Sequence, residues 1–205
     1  MKTLSTYITE GLKIGKKHRQ NKYNYHPKDR DELYQFLKKL LKERGNDADL
    51  NDIDTSAVTD MSDLFVGLDP HNIDISEWDV SNVTNMQEMF MNCKEFNSDL
   101  SDWDVSNVTN MQWVFYGCKN FNSDLSEWDV SNVKTMGGMF WHCANFNSNI
   151  SDWDVKNVEY MTYMFYGCKE FNQYLDQWDT KNLKYKAYMF NNCNSLKNIP
   201  SWYKK

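Results

Sequence analysis

The sequence predicts an α/β repeat solenoid, a right-handed coil of short strands and short helices with an α-helical cap at its N-terminal end. The first observation behind this prediction is a tryptophan that recurs every 25 residues, from Trp78 to Trp178, without insertion or deletion. The second is a cysteine that recurs at the same interval, from Cys93 to Cys193. A strict period of this kind indicates one structural unit that is copied and stacked.

Two periodicities alternate inside each unit. Trp103 and Val105 alternate with acidic residues, which is typical of a short strand. The apolar positions from Val108 to Cys118 follow spacings of three, four and three residues, which is typical of one face of a short helix. Such helices are too short to be stable alone, so we expect each unit to cover the apolar face of its neighbour.

The repeats divide the chain in two. Residues 1–48 do not repeat and are predicted to form the helical cap, whereas residues 49–205 contain about six units, including degenerate copies at both ends. Ile53 replaces tryptophan in the first copy and Lys186 replaces methionine in the last. Divergent, more polar terminal copies are typical of the capping units of a repeat array.

The predicted cap contains a clear helix pattern. Apolar residues at helical spacing lie between residues 33 and 41, after a capping pair of Asp29 and Glu32 and before Gly45. Residues 4–12 have a weaker helical spacing of apolar side chains. The sequence therefore predicts helices that cover the exposed end of the first unit.

Charge is distributed unevenly along the chain. Residues 1–48 hold 12 lysines and arginines against six acidic residues, whereas the remainder holds 11 against 23. The net charge of −6 excludes nucleic-acid binding by the chain as a whole through bulk electrostatics. Residues 13–30 are the exception, because Tyr23 and Tyr25 are interleaved with basic residues there. They are a weaker candidate for a contact with nucleic acid or another anionic partner.

The sequence shows little that is typical of an enzyme. The five cysteines occupy one repeat position, which favours buried thiols over disulfides or a metal site. The four histidines have no nucleophile or ligand at a usable spacing, and no glycine-rich phosphate loop is present. We therefore expect no catalytic residue, no metal ligand and no cofactor.

The repeat motif resembles a known family. The stretch from Trp78 to Met86, followed by Met-Phe, then Cys and Phe-Asn, resembles the BspA-type leucine-rich repeat in its DUF285 variant over residues 53–203. The resemblance implies a leucine-rich-repeat-like fold in a bacterial surface protein or a phage- or mobile-element-associated protein. Members with assigned roles mostly bind extracellular matrix or other cells.

The start of the chain bears on where the protein acts. It shows no signal-peptide pattern, which favours a cytoplasmic or phage-associated protein over one at the cell surface. No apolar stretch reaches the length of a membrane span. The oligomeric state stays open.

Variable positions between copies indicate a contact surface. Two positions of the predicted helix side carry different aromatic residues in different units: Trp113, Tyr163 and Tyr188 at one, and Tyr116, Trp141 and Tyr166 at the other. If exposed, these side chains would form an aromatic patch, and such patches mark partner sites. The tryptophans of the strict ladder are predicted to lie in the core. If half-exposed, they would instead form an aromatic ribbon suited to sugars or a partner protein.

Acidic residues form two further ladders. The residue before each ladder tryptophan is a candidate for partner contact on the predicted strand face: Glu77, Asp102, Glu127 and Asp152. The aspartate after each tryptophan is interpreted as capping a turn, since its side chain accepts readily from nearby backbone N–H groups. A weak cation-binding module is an alternative interpretation of these ladders.

The sequence as a whole favours a non-catalytic protein-binding or structural repeat module, surface- and adhesion-like or phage-associated. The alternative is an intracellular phage or mobile-element protein that sequesters a host protein or nucleic acid through its basic N-terminal segment.

Overall fold

The computed structural model describes residues 22–204. Within this range the chain has one α-helix, α1 (Arg30–Arg44), and no strand longer than an isolated parallel bridge. The predicted α/β solenoid of short strands and short helices is therefore wrong. The 25-residue units are built from consecutive turns instead.

The units are nevertheless stacked in register. One residue in each forms a parallel bridge with its equivalent in the next, along Asp60, Asn85, Asn110, Thr135, Tyr160 and Tyr185. Backbone N–H groups beyond this position donate to the next unit, for example Met111 to the Thr135 carbonyl at 2.9 Å and Phe115 to the Met139 carbonyl at 2.9 Å. We define the units by their first apolar residue: Leu50, Ile75, Leu100, Leu125, Ile150 and Leu175.

The predicted helix in each unit is interrupted by left-handed backbone. In the unit that begins at Leu100, Trp113 has φ 55° and Gly117 has φ 75°, values that a right-handed helix does not contain. Because the N–H groups here donate across units, few remain for bonds along the chain. The apolar spacing of three and four residues thus arises from successive turns that bury the side chains of Val108, Met111, Phe115 and Cys118.

The predicted strand is also a pair of turns. The Trp103 N–H donates to the Leu100 carbonyl at 3.2 Å, and the Val108 N–H donates to the Val105 carbonyl at 2.9 Å. These turns bury Trp103, Val105 and Val108 and leave the acidic residues beside Trp103 exposed. The resulting alternation of buried and exposed residues resembles that of a β-strand. The Asp104 carboxylate accepts from the Ser106 N–H at 3.1 Å, so the predicted turn-capping role of this aspartate ladder is confirmed.

Buried aromatic ladders form the core. The five ladder tryptophans are 3–4 % exposed, and each indole N–H donates to a carbonyl of the preceding unit, as Trp128 does to Leu100 at 2.9 Å. The Phe115 and Phe140 rings lie parallel, with centroids 5.7 Å apart. The prediction that the tryptophan ladder is core is therefore confirmed.

The cysteine ladder lies in the same core. Cys93, Cys118, Cys143 and Cys168 are buried free thiols, and Cys193 in the last unit is half-buried. The Cys143 thiol donates to the Phe115 carbonyl at 2.8 Å. Burial raises the pKa of every one of these thiols. The predicted buried thiols are thus confirmed for the first four positions.

Helix α1 has the predicted ends. The Asp29 carboxylate accepts from the Glu32 N–H at 3.0 Å, and the Gly45 N–H donates to the Leu41 carbonyl at 2.9 Å. The buried leucines of α1 join one continuous core with the units. The predicted helical segment at residues 4–12 lies outside the described residues, and the division of the chain at residue 48 stays a prediction.

An ion pair fastens the end of α1 to the first unit. The Arg44 guanidinium binds both oxygens of Asp52 at 2.9 Å and donates to the Asp49 carbonyl. Because the hydrogen bond from Arg44 stabilises the carboxylate, the pKa of Asp52 is lowered. This bidentate ion pair constrains the orientation of helix α1 relative to the first unit.

At the opposite end of the stack, the predicted degenerate copy is followed by a tryptophan contact that the sequence did not predict. Trp202 lies one residue before the position that the ladder predicts, yet its indole N–H donates to the Leu175 carbonyl at 2.8 Å. Its ring stacks on Trp178 with centroids 6.1 Å apart. Trp202 therefore supplies the contact that a further unit would make. Among residues 22–204, no helix has the length and apolar character needed to cross a membrane.

Candidate interaction surface

Five of the predicted aromatic residues form one network of touching rings. We call it the aromatic surface: Tyr116, Trp141, Tyr163, Tyr166 and Tyr188. Tyr188 is 53 % exposed and the other four are half-buried. Trp113 lies in the same unit as Tyr116, is 36 % exposed and, within residues 22–204, makes no ring contact with the network. The structure therefore brings five of the six predicted aromatic residues together at the protein surface.

The rings of the aromatic surface follow the stacking direction of the units. Tyr163 lies between two parallel neighbours, with ring centroids 4.6 Å from Trp141 and 5.1 Å from Tyr188. Tyr116 meets Trp141 edge to face at 5.2 Å. These are favourable aromatic geometries, so the network holds its members in fixed orientations before any partner binds.

Left-handed backbone presents one row of these side chains. Trp113, Tyr163 and Tyr188 have φ between 55° and 60°, which is rare for bulky residues. The equivalent position in the unit between them is Gly138, and a Cβ there would lie 2.2 Å from the Trp113 Cδ1 atom. The missing side chain thus makes room for the Trp113 indole to lie across Gly138.

One polar atom of the aromatic surface is buried without a protein partner. The Trp141 indole N–H is covered by its neighbours and has no acceptor within hydrogen-bond distance in the described structure. A buried donor without an acceptor costs free energy. A rearranged conformation or a bound partner that supplied an acceptor to this N–H group would remove that cost.

The predicted acidic residues lie elsewhere on the units. Glu77 and Asp102 line one cleft of about 610 Å³, where Glu77 pairs with Lys22 and Tyr23 forms part of the wall. Glu127 and Asp152 are exposed and continue the same ladder. No contact in the described residues joins these carboxylates to the aromatic surface, so the predicted contact residues form two separate surfaces.

Lysines offset part of the charge on the neighbouring aspartate ladder. Lys156 pairs with Asp154 at 2.6 Å, and Lys181 pairs with Asp179 at 2.9 Å. The hydrogen bonds from these lysines lower the pKa of both aspartates. Because these pairs occur in the last two units, the acidic character of the stack is strongest towards its N-terminal end. Within residues 22–204, no group of three or more side chains is arranged to hold a metal ion.

Sequence reasoning missed a basic recess beside the aromatic surface. Lys94, Lys119 and Lys169 occupy one repeat position and line the recess together with His142. A lysine that recurs at multiples of 25 residues was the available signal, but Ala144 interrupts the series. Of the predicted basic segment 13–30, residues 13–21 lie outside the described residues.

Comparison with known proteins adds one finding. The profile of a family described as "Mycoplasma protein of unknown function, DUF285" matches residues 34–143 and 114–204, which together span most of the chain.

The chain belongs to the DUF285 family.

The two matches overlap at residues 114–143, as expected when a profile built on repeats aligns to the same array twice. The DUF285 match begins inside helix α1, so the family profile includes part of the cap as well as the units. No curated protein and no solved structure matches the chain.

Proposed function

We propose that this DUF285 protein is a non-catalytic binding module whose partner is a protein that docks on the aromatic surface and Trp113. The observation that carries the proposal is a continuous set of pre-oriented, partly exposed aromatic rings over adjacent units. Tyrosine and tryptophan are enriched at the centres of protein interfaces, where rigid rings contribute large contact areas at a low entropic cost.

Variation between units supports the same proposal. The inward tryptophan ladder and the inward ladder of Phe90, Phe115, Phe140, Phe165 and Phe190 keep one residue type, whereas the outward row changes from Trp113 to Gly138, Tyr163 and Tyr188. Stacking alone would be satisfied by repeating one side chain. A surface that differs from unit to unit presents a shape that a partner recognises in one register only.

The chemistry of the cysteines supports a binding role over a catalytic one. Cysteine acts as a nucleophile in its thiolate form. Burial raises the pKa of Cys93 to about 12, and the pKa of Cys143 is likewise raised. These thiols therefore stay protonated near neutral pH. The resemblance of the motif to BspA-type repeats, whose members with assigned roles mostly bind other molecules, favours the same conclusion.

An affinity capture with matched variants tests the proposal. The immobilised full chain is exposed to a bacterial lysate alongside the double variant Trp113→Ser/Tyr188→Ser. The control is Tyr174→Ser/Tyr185→Ser, which removes tyrosines that are 57 % and 54 % exposed outside the aromatic surface. We expect the wild type and the control to retain the same partner and the aromatic variant to lose it.

Salt distinguishes the aromatic surface from the basic N-terminal segment. Contacts made by aromatic rings persist when salt rises from about 50 mM to about 200 mM, whereas contacts made by exposed lysines weaken. Equal capture by both double variants would overturn the proposal. A partner released by moderate salt would contradict it as well and would indicate residues 13–30.

A further inference from the structure

The basic recess has a volume of about 410 Å³, within the range of small-ligand sites. Its polar groups come from four adjacent units: Lys94, Lys119, His142 and Lys169, with the Tyr116 ring as one wall. No carboxylate lines it. In a chain with net charge −6, the recess is a local concentration of positive charge.

A repeated left-handed position shapes the floor of the recess. Gly117 and Gly167 occupy it in alternate units, with φ 75° and 76°, and His142 occupies it between them with φ 63°. A Cβ on Gly167 would lie 2.6 Å from the His142 Nδ1 atom, so the imidazole lies directly over this glycine. Because Gly167 has no side chain, the His142 imidazole can lie over it and form part of the wall of the recess.

A small residue opens the centre of the recess. In the unit of His142 the lysine position is taken by Ala144, which leaves a gap between Lys119 and Lys169. These two lysines lie two units apart, about 10 Å along the stack. Both side chains line the recess, and their long, flexible stems allow the two ammonium groups to approach a ligand in the gap from either side.

The ammonium groups around the gap are available to a ligand. Within the described residues, none of Lys94, Lys119 and Lys169 forms an ion pair, and the nearby Glu95 carboxylate instead accepts from the Asn120 amide at 2.6 Å. Burial lowers the pKa of His142, and the nearby positive charges of Lys119 and Lys169 lower it further. An anion in the gap would therefore interact with all three groups.

We propose that this recess binds the phosphate group of a small phosphorylated ligand. Lys119 and Lys169 donate to the phosphate oxygens from either side, and His142 adds a third donor when protonated. The Tyr116 ring offers a flat apolar surface to the remainder of the ligand. The site is independent of the proposed protein partner, although Tyr116 belongs to both surfaces.

Calorimetric titration of the full chain with pyrophosphate, at constant ionic strength, tests this site. We expect saturable binding that is about tenfold weaker in Lys119→Gln/Lys169→Gln, since two charge-assisted contacts with exposed groups are lost. The control Lys134→Gln/Lys197→Gln removes the same net charge outside the recess and should bind like the wild type. Thermal unfolding establishes that both variants fold.

NMR provides a second measurement, which locates the bound ligand in the recess. In a proton–carbon NMR spectrum, pyrophosphate should shift the imidazole resonances of His142 and leave those of His71, which lies outside the recess, in place. Absence of saturable binding to the wild type would overturn the proposal. Equal weakening in both double variants would overturn it too, because it would show an unspecific response to net charge.

Discussion

Phe140 and Trp141 are neighbours in sequence, yet their side chains point in opposite directions, one into the core and one to the surface of the stack. Phe140 points inward, is fully buried, and lies parallel to Phe115 and Phe165 in the adjacent units. Trp141 points outward into the aromatic surface. The inward ladder repeats one residue type, whereas the outward positions vary. Stacking therefore constrains the inside of each unit and leaves the outside available for recognition.

The largest expected effect is on the inward side. Phe140→Ala removes a ring that packs against both adjacent units, so it should lower the free energy of unfolding by about 3–5 kcal/mol. Urea unfolding measures this loss. A loss below about 1 kcal/mol would show that the Phe ladder does not hold the units together.

A smaller effect is expected for one hydrogen bond between units. Trp128→Phe keeps an aromatic ring but leaves the buried Leu100 carbonyl without the indole donor, which should cost about 1–3 kcal/mol. The matched control is Trp113→Phe on the outward side, where a change within about 0.5 kcal/mol is expected. Equal losses in the two variants would remove the distinction between inward and outward tryptophans.

The buried thiols predict a dependence on pH. Burial raises the pKa of Cys143 above the ordinary value of 9.0, so above that pH the native state retains a proton that the unfolded chain releases. Stability should therefore fall as pH rises. Between about pH 8 and about pH 10, the wild type should lose about 1.4 kcal/mol more than Cys143→Ala. Identical pH profiles would show that the thiol is solvated.

The smallest effect on stability is expected on the outward side. Tyr188→Ser should change the free energy of unfolding by less than about 0.5 kcal/mol, because more than half of the side chain is already exposed. Urea unfolding beside Phe140→Ala gives the comparison directly. A loss as large as that of Phe140→Ala would show that the aromatic surface serves stability.

The inward side could be predicted from sequence because packing repeats. Identical spacing of Trp, Phe and Cys was enough to place these residues in the core and to predict stacking between units. The capping pattern of Asp29 and Glu32 likewise predicted the start of α1, since it depends only on neighbouring residues.

The local backbone and the basic recess could not be predicted in the same way. Successive turns and a short helix both place apolar residues three or four positions apart. The left-handed conformation of Trp113 is signalled only indirectly, by Gly138 at the equivalent position of the next unit. The recess depends on His142 and Ala144, which depart from the repeat. A site that depends on residues departing from the repeat in one unit can be recognised only when the side chains of several units are placed together in three dimensions.

The most direct test of the stacked-unit architecture is a pair of deletions. Removing residues 101–125 deletes one complete unit and joins Leu100 to Ser126, which keeps every ladder in register. Removing residues 101–124, one residue fewer, shifts each later ladder by one position. Thermal unfolding followed by circular dichroism should show one cooperative transition for the complete-unit deletion and its loss for the shorter one. Failure of the complete-unit deletion to fold, or the same cooperative transition in both variants, would contradict the stacking of interchangeable units.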